Sequence, residues 1–129
     1  MRKGERVPPV RVIFYREDDG TVPMVNWIDG LPKKAREKCF EWIDRLMVSG
    51  YELHRPYADF LRDGVYELRV RLQHINYRML YFFHGTSAVV LTHGLTKEKQ
   101  IPDNEIAKAE DLKKRFEADP ESHTFRWEP

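Results

Sequence analysis

Residues Gly64–Lys99 read GVYELRVRLQHINYRMLYFFHGTSAVVLTHGLTKEK, and this stretch decides the fold. In Gly64–Leu72 the side chains of Tyr66, Leu68, Val70 and Leu72 point one way, and those of Val65, Glu67, Arg69 and Arg71 point the other. That period of two is the mark of a strand with one buried face. Ile75–Phe83 is rich in Tyr, Phe and Leu, which suit a pleated surface. Gly85-Thr86-Ser87 gives a tight turn, and Ser87–His93 forms a short apolar run that ends before Gly94. Connections this short favour an antiparallel meander, because a parallel return needs a crossover of a dozen or more residues.

Working outward, Val10–Arg16 (VRVIFYR) reads as a first strand, followed by a turn at Glu17-Asp18-Asp19-Gly20. Pro23–Asp29 reads as a short helix with Pro23 in its first turn and Gly30 at its end. Pro32–Gly50 is a longer helix, in which Ala35, Cys39, Ile43 and Leu46 share one face, widened by Phe40 and Met47. Tyr51–Asp63 reads as a connection lying against the open face of the sheet. Asp103–Ala118 reads as a C-terminal helix with Ile106, Ala109, Leu112 and Phe116 on its apolar side, Asp103 as its cap and Glu105 near its positive end. The expected fold class is α/β (α+β). It has an antiparallel-rich sheet of about four strands, with helices on one face and an arginine-bearing face left open. The whole 129-residue chain is expected to be one domain with its core over about 10–117. An arm at 1–9 and a tail at 118–129 are expected to be mobile.

The charge balance is +1, so only local clustering can argue for a nucleic-acid partner. A single Cys39 excludes an intrachain disulfide. The five histidines and the cysteine show no metal-ligand spacing such as HExxH, so neither a metal nor a cofactor is expected. No apolar run approaches the ~20 residues that cross a bilayer, and the basic N-terminus has no apolar segment behind it, so a cytoplasmic protein is expected.

Three motifs carry a resemblance that covers about Val10 to Phe116. Tyr66-Glu67-Leu68-Arg69 is one. Tyr77-Arg78 with Tyr81-Phe82-Phe83 is the second. Val89–Ala109 (VVLTHGLTKEKQIPDNEIAKA) is the third. In this order and spacing they resemble the RelE/ParE toxin superfamily of type II toxin–antitoxin systems, closest to its HigB-like, phage-associated branch. Leu95 stands where that branch usually has Phe, and Glu98 takes the second place of its paired lysines. The resemblance implies a ribosome-dependent mRNA endoribonuclease (mRNA interferase) that works without metal, by attack of a ribose 2′-OH on the adjacent phosphate. It implies a cognate antitoxin, the ribosome and mRNA as partners, with no membrane. Two alternatives share the fold: a ParE-like inhibitor of DNA gyrase, and a non-catalytic module, which Glu98 favours.

Such chemistry needs cations for developing charge and groups that move protons. Arg69, His93 and Arg78 are the catalytic candidates. Lys97, Lys99, Arg71 and Tyr81 are the RNA-binding candidates. Arg grips a phosphate through its planar fork, and His titrates near neutral pH. Each has a structural reading beside the functional one. Arg69 can pair with Glu67, Arg78 can bridge the strands to a helix carboxylate, and Tyr81 can sit in the core.

Overall fold

A computed structural model describes residues 9–96 and 99–128. Most of the N-terminal arm, and Lys97 with Glu98, lie outside the described residues. The elements in chain order are β1 (Arg11–Tyr15), α1 (Pro23–Asp29), α2 (Lys33–Ser49), β2 (Ala58–Arg62), β3 (Val65–Leu72), β4 (Ile75–His84), β5 (Ala88–Thr96), α3 (Asp103–Ala118) and β6 (Thr124–Arg126). The fold is mixed α+β, with a six-stranded sheet in the order β2-β3-β4-β5-β1-β6. β1 runs parallel to β5, and the remaining pairs are antiparallel.

The meander β3–β4–β5 is the spine, as the alternation predicts. β3 and β4 pair from Leu72↔Ile75 to Val65↔Phe82, across a two-residue turn at Gln73-His74. Both turn residues have positive φ, the geometry that matches strand twist in a tight hairpin. β1 is apolar on both sides because both sides are covered. Val12 and Phe14 face the layer of α1 and α2, and Ile13 and Tyr15 face α3. α2 buries Ala35, Cys39, Trp42, Ile43 and Leu46. Each large apolar side chain sealed this way contributes roughly 1.5–3 kcal/mol. Burial pushes the Cys39 thiol up to about 12, so it is an inert core residue.

Five expectations are corrected. The sheet has six strands rather than about four. The later part of the expected connection 51–63, Ala58–Arg62, is the edge strand β2, paired through Ala58↔Leu68 and Phe60↔Tyr66. The tail is not free. β6 pairs with β1 at Phe14↔Phe125, His123 stacks on Tyr15 at 4.8 Å, and Trp127 stacks on Phe40 at 6.2 Å. The helices do not share one face. α3 crosses the arginine-bearing face and packs Leu112 and Phe116 against Ile13, Tyr15, Phe82 and Val90. Finally, Asp103 is the first residue of α3 rather than its cap, and Pro102 precedes it. The Asp103 carboxylate is drawn away to the Arg62 guanidinium of β2.

Candidate functional site

The α3 side of the sheet carries two kinds of surface. Its register stacks residues in rows across the strands: Glu67 beside Leu80 beside His93, and Arg69 beside Arg78 beside Leu95. The C-terminal half of α3 seals the far rows with apolar contacts. Toward its N-terminus a cavity of about 530 Å³ opens beside the helix, bordered by Asp59, Glu67, Arg69, Arg78, Lys99 and Ile106 among others. Arg69, Arg78 and Lys99, three of the expected site residues, therefore meet in one cavity.

Glu67 organises it. This carboxylate is only 3% exposed. One oxygen accepts from Arg69 Nη2 at 2.5 Å and the other from Arg78 Nη1 at 2.7 Å. A buried carboxylate is tolerated only when it is paired in this way. Arg78, 6% exposed, also donates from Nη2 to the Lys99 carbonyl at 2.8 Å. That bond pins the chain beyond β5 to the cavity wall. Arg78 thus bridges to the neighbouring strand and to a backbone carbonyl, not to a helix carboxylate. Arg69 is more open, with its side chain 36% exposed. The Nε atoms of both arginines are buried and find no acceptor among the described residues. Counting Asp59, the lining holds three cations and two carboxylates. Both acids are already engaged, since Asp59 pairs with Arg55 at 3.0 Å. The cavity therefore favours an anion that brings its own acceptors.

The other candidates are placed differently. Arg71 is exposed and borders a neighbouring hollow together with Arg69. Lys97 lies outside the described residues. Tyr81 is corrected: its ring is in the core, stacked on Tyr66 at 5.4 Å, and burial raises its hydroxyl above the ordinary tyrosine range. Such a ring cannot receive an RNA base. His93 is corrected as well. The strand does not stop before Gly94 but runs on to Thr96, which leaves His93 inside the sheet and under α3.

There His93 is 4% exposed, with Nε2 2.8 Å from the Glu105 carboxylate and Nδ1 3.0 Å from the Thr92 hydroxyl. In the neutral tautomer that donates from Nε2 to Glu105, Nδ1 shares the one Thr92 hydroxyl proton with the Leu80 carbonyl, 3.3 Å from that hydroxyl. Burial holds the imidazole below the ordinary histidine range, against the upward pull of its Glu105 bond, and nearby Lys108 adds to the lowering. The ring fastens the first turn of α3 to β5 and is not part of the cavity lining.

Sequence reasoning passes over Glu67 as the centre of the site, although its spacing from Arg69 places both on one strand face. Asn76 and Asp59, which also line the cavity, carry no motif signal of their own. Among the described residues no group of three His, Cys, Asp or Glu is placed to hold a metal ion. No helix among them is long and apolar enough to cross a membrane.

A family model described as phage derived protein Gp49-like matches residues 26–114, from within α1 to the last turns of α3. The match takes in α2, the whole meander and every described residue of the cavity. No curated protein matches the chain. With well over half its length matched, the chain belongs to the phage-derived Gp49-like family, a family compatible with the toxin of a toxin–antitoxin system.

Proposed function

We propose that this chain is the toxin of a type II toxin–antitoxin pair, of the HigB-like branch, and that it cleaves mRNA on the translating ribosome. The observation that carries the reading is the convergence of Arg69, Arg78 and Lys99 on one open cavity. A scissile phosphate would lie there. The ribose 2′-hydroxyl gives up its proton as its oxygen bonds to phosphorus. The bond to the 5′-oxygen breaks and that oxygen takes up a proton, leaving a 2′,3′-cyclic phosphate and a 5′-hydroxyl, while the cations stabilise the charge that builds up between. Arg69 is the contact residue, because it is the more open arginine. Arg78 and Glu67 hold it in place. Lys97 and Lys99 bind flanking phosphates, and Arg71 extends the basic track.

Both carboxylates in the lining are engaged by arginines, and His93 is withdrawn under α3. Few protein groups are left to move protons, which supports dependence on the ribosome for positioning and electrostatics. A small antitoxin, held against the helices and the sheet edge, would silence the protein until it is removed.

The withdrawn His93 also favours a second reading, in which the cavity binds without cleaving and the protein poisons another target such as DNA gyrase. The test is to express the chain alone, follow growth, and map new 5′ ends on translated and untranslated transcripts. Growth arrest with new ends confined to translated messages is the expected result. Arrest without new ends, relieved in cells with altered gyrase, selects the second reading. Normal growth with abundant soluble protein argues against a toxin of either kind.

A further inference from the structure

Beside the cavity lies a second hollow of about 400 Å³, walled by Lys38 and Trp42 of α2, by Tyr57, and by Arg69, Arg71 and Asn76 of the sheet. Arg69 and Asn76 line both spaces, so the two share a wall. The second has a different character. Its lining holds three cations, no carboxylate and two stacked aromatic rings. Trp42 and Tyr57 lie face to face, with centroids 4.4 Å apart and planes inclined by 29°. Trp42 is nearly buried and is braced by the Arg45 guanidinium, 4.6 Å from its ring centre. Tyr57 is 45% exposed, an unusual state for a large ring held this firmly. Neither Lys38 nor Arg71 makes an ion pair with a described residue.

We propose that this hollow seats the base of a single-stranded RNA nucleotide whose phosphate lies at Arg69. The inference rests on the phosphate role of Arg69 proposed above and adds what adjoins it. A base stacks on any aromatic face, whatever its identity, and cations beside the ring hold the flanking phosphates. The platform is fixed relative to the clamp, because the Arg69 amide donates to the Tyr57 carbonyl at 2.7 Å. That bond continues the β2–β3 pairing one step before the start of β2, so the backbones that carry the ring and the guanidinium are tied together. Stacking of a base on Tyr57 would then set the register of the strand against Arg69 without reading its sequence. Tyr57 is a positioning residue in this account, and Lys38 and Arg71 hold the backbone on either side.

The test titrates the full chain against two labelled RNA pentamers, with binding read by fluorescence anisotropy. One is an oligoadenylate made uncleavable by a central 2′-O-methyl group, and the other is the same oligomer with the central base removed. The base-bearing oligomer is expected to bind roughly 5- to 150-fold more tightly, the range that stacking of one base supplies. Tyr57→Leu should erase that preference and Tyr57→Phe should keep it. Arg69→Ala should weaken both oligomers. Equal affinities in the parental protein, or a preference that survives Tyr57→Leu, overturn the base seat. The phosphate role still stands if Arg69→Ala weakens both. A preference removed by Tyr57→Leu, with affinities that ignore Arg69→Ala, keeps the base seat and overturns the phosphate role. Binding of neither oligomer overturns the base seat, and the phosphate role is then decided by transcript cleavage on the ribosome with Arg69→Ala.

Discussion

One helix, α3, treats the two ends of the same sheet face in opposite ways. Under its C-terminal half, Leu112 and Phe116 close on Ile13, Tyr15, Phe82, Ala88 and Val90. Beside its N-terminal turns, the sheet presents Glu67, Arg69, Arg78 and His93. The first end is held by area removed from water alone, while the second joins a small apolar cluster of Val65, Leu80, Leu95 and Ala109 to charge pairs centred on Glu67. The sealed end can lose a methylene and relax. The charged end cannot lose Glu67 without stranding Arg78, which is buried and leans on it. A buried pair such as Glu67–Arg78 is a poor investment for stability alone. Its presence beside an open cavity points to use.

The largest loss is expected at the sealed end. Phe116→Ala removes a ring that meets Phe82 edge-on at 5.6 Å, and it should cost about 3–5 kcal/mol in denaturant unfolding. A loss under about 1 kcal/mol would mean that α3 is not seated there.

Next is Glu67→Ala, which leaves the buried Arg78 uncompensated and should cost about 3 kcal/mol. The informative variant is the double replacement Glu67→Leu with Arg78→Met. It should recover most of that stability while losing activity, because apolar groups of similar volume often replace a buried pair without cost. If the double variant is as unstable as Glu67→Ala, the charges at this end are needed for folding and the contrast fails.

The smallest effect concerns His93. Its folded value is lowered, so the folded protein takes up its proton later than the unfolded chain as pH falls. Above the ordinary histidine value of about 6.5 the group contributes no pH dependence. Below it the unfolded chain gains a proton that the folded chain refuses, and stability declines until the lowered folded value is passed. Unfolding measured from pH 7.5 to pH 5 should show that decline, and His93→Gln should flatten it. Equal slopes in the two proteins would place the titration elsewhere.

The sealed end and the meander were legible in the sequence because burial follows period there. Tyr66, Leu68 and Val70 point to the α2 side as the alternation requires. The same alternation misleads at Glu67. A polar residue reads as solvent-facing, and a pattern of single residues cannot show two charges burying one another across a hairpin. β2 had its own signal in Asp63-Gly64, both at positive φ in the turn between Arg62 and Val65. Pro56 and the mixed charges nearby argue for a loop and hide it. β6, three residues long, is too short for any period to register.

His93 is misplaced for a related reason. Gly94 looks like the end of a strand, but it is small because Trp27 lies on it. A Cβ there would fall 2.2 Å from the indole ring. Arg69, Arg78 and Lys99 were legible as a basic cluster. The stacked Trp42 and Tyr57 were not, because residues distant in sequence meet there only once β2 is in place.

The central claim is that Arg69 grips a phosphate and is not chiefly a structural pair. Transcript cleavage in a translating extract, with unfolding measured on the same preparation of Arg69→Ala, tests it most directly. Glu67 keeps Arg78 as a partner in that variant, so the loss of stability should be about 1 kcal/mol, between that of an exposed and a buried charge pair. Cleavage should fall a hundredfold to a thousandfold, the loss of roughly 2.7–4 kcal/mol of barrier stabilisation. Arg69→Lys should restore part of it, keeping the charge without the planar fork. Cleavage at the parental rate by Arg69→Ala, with its fold intact, would contradict the account.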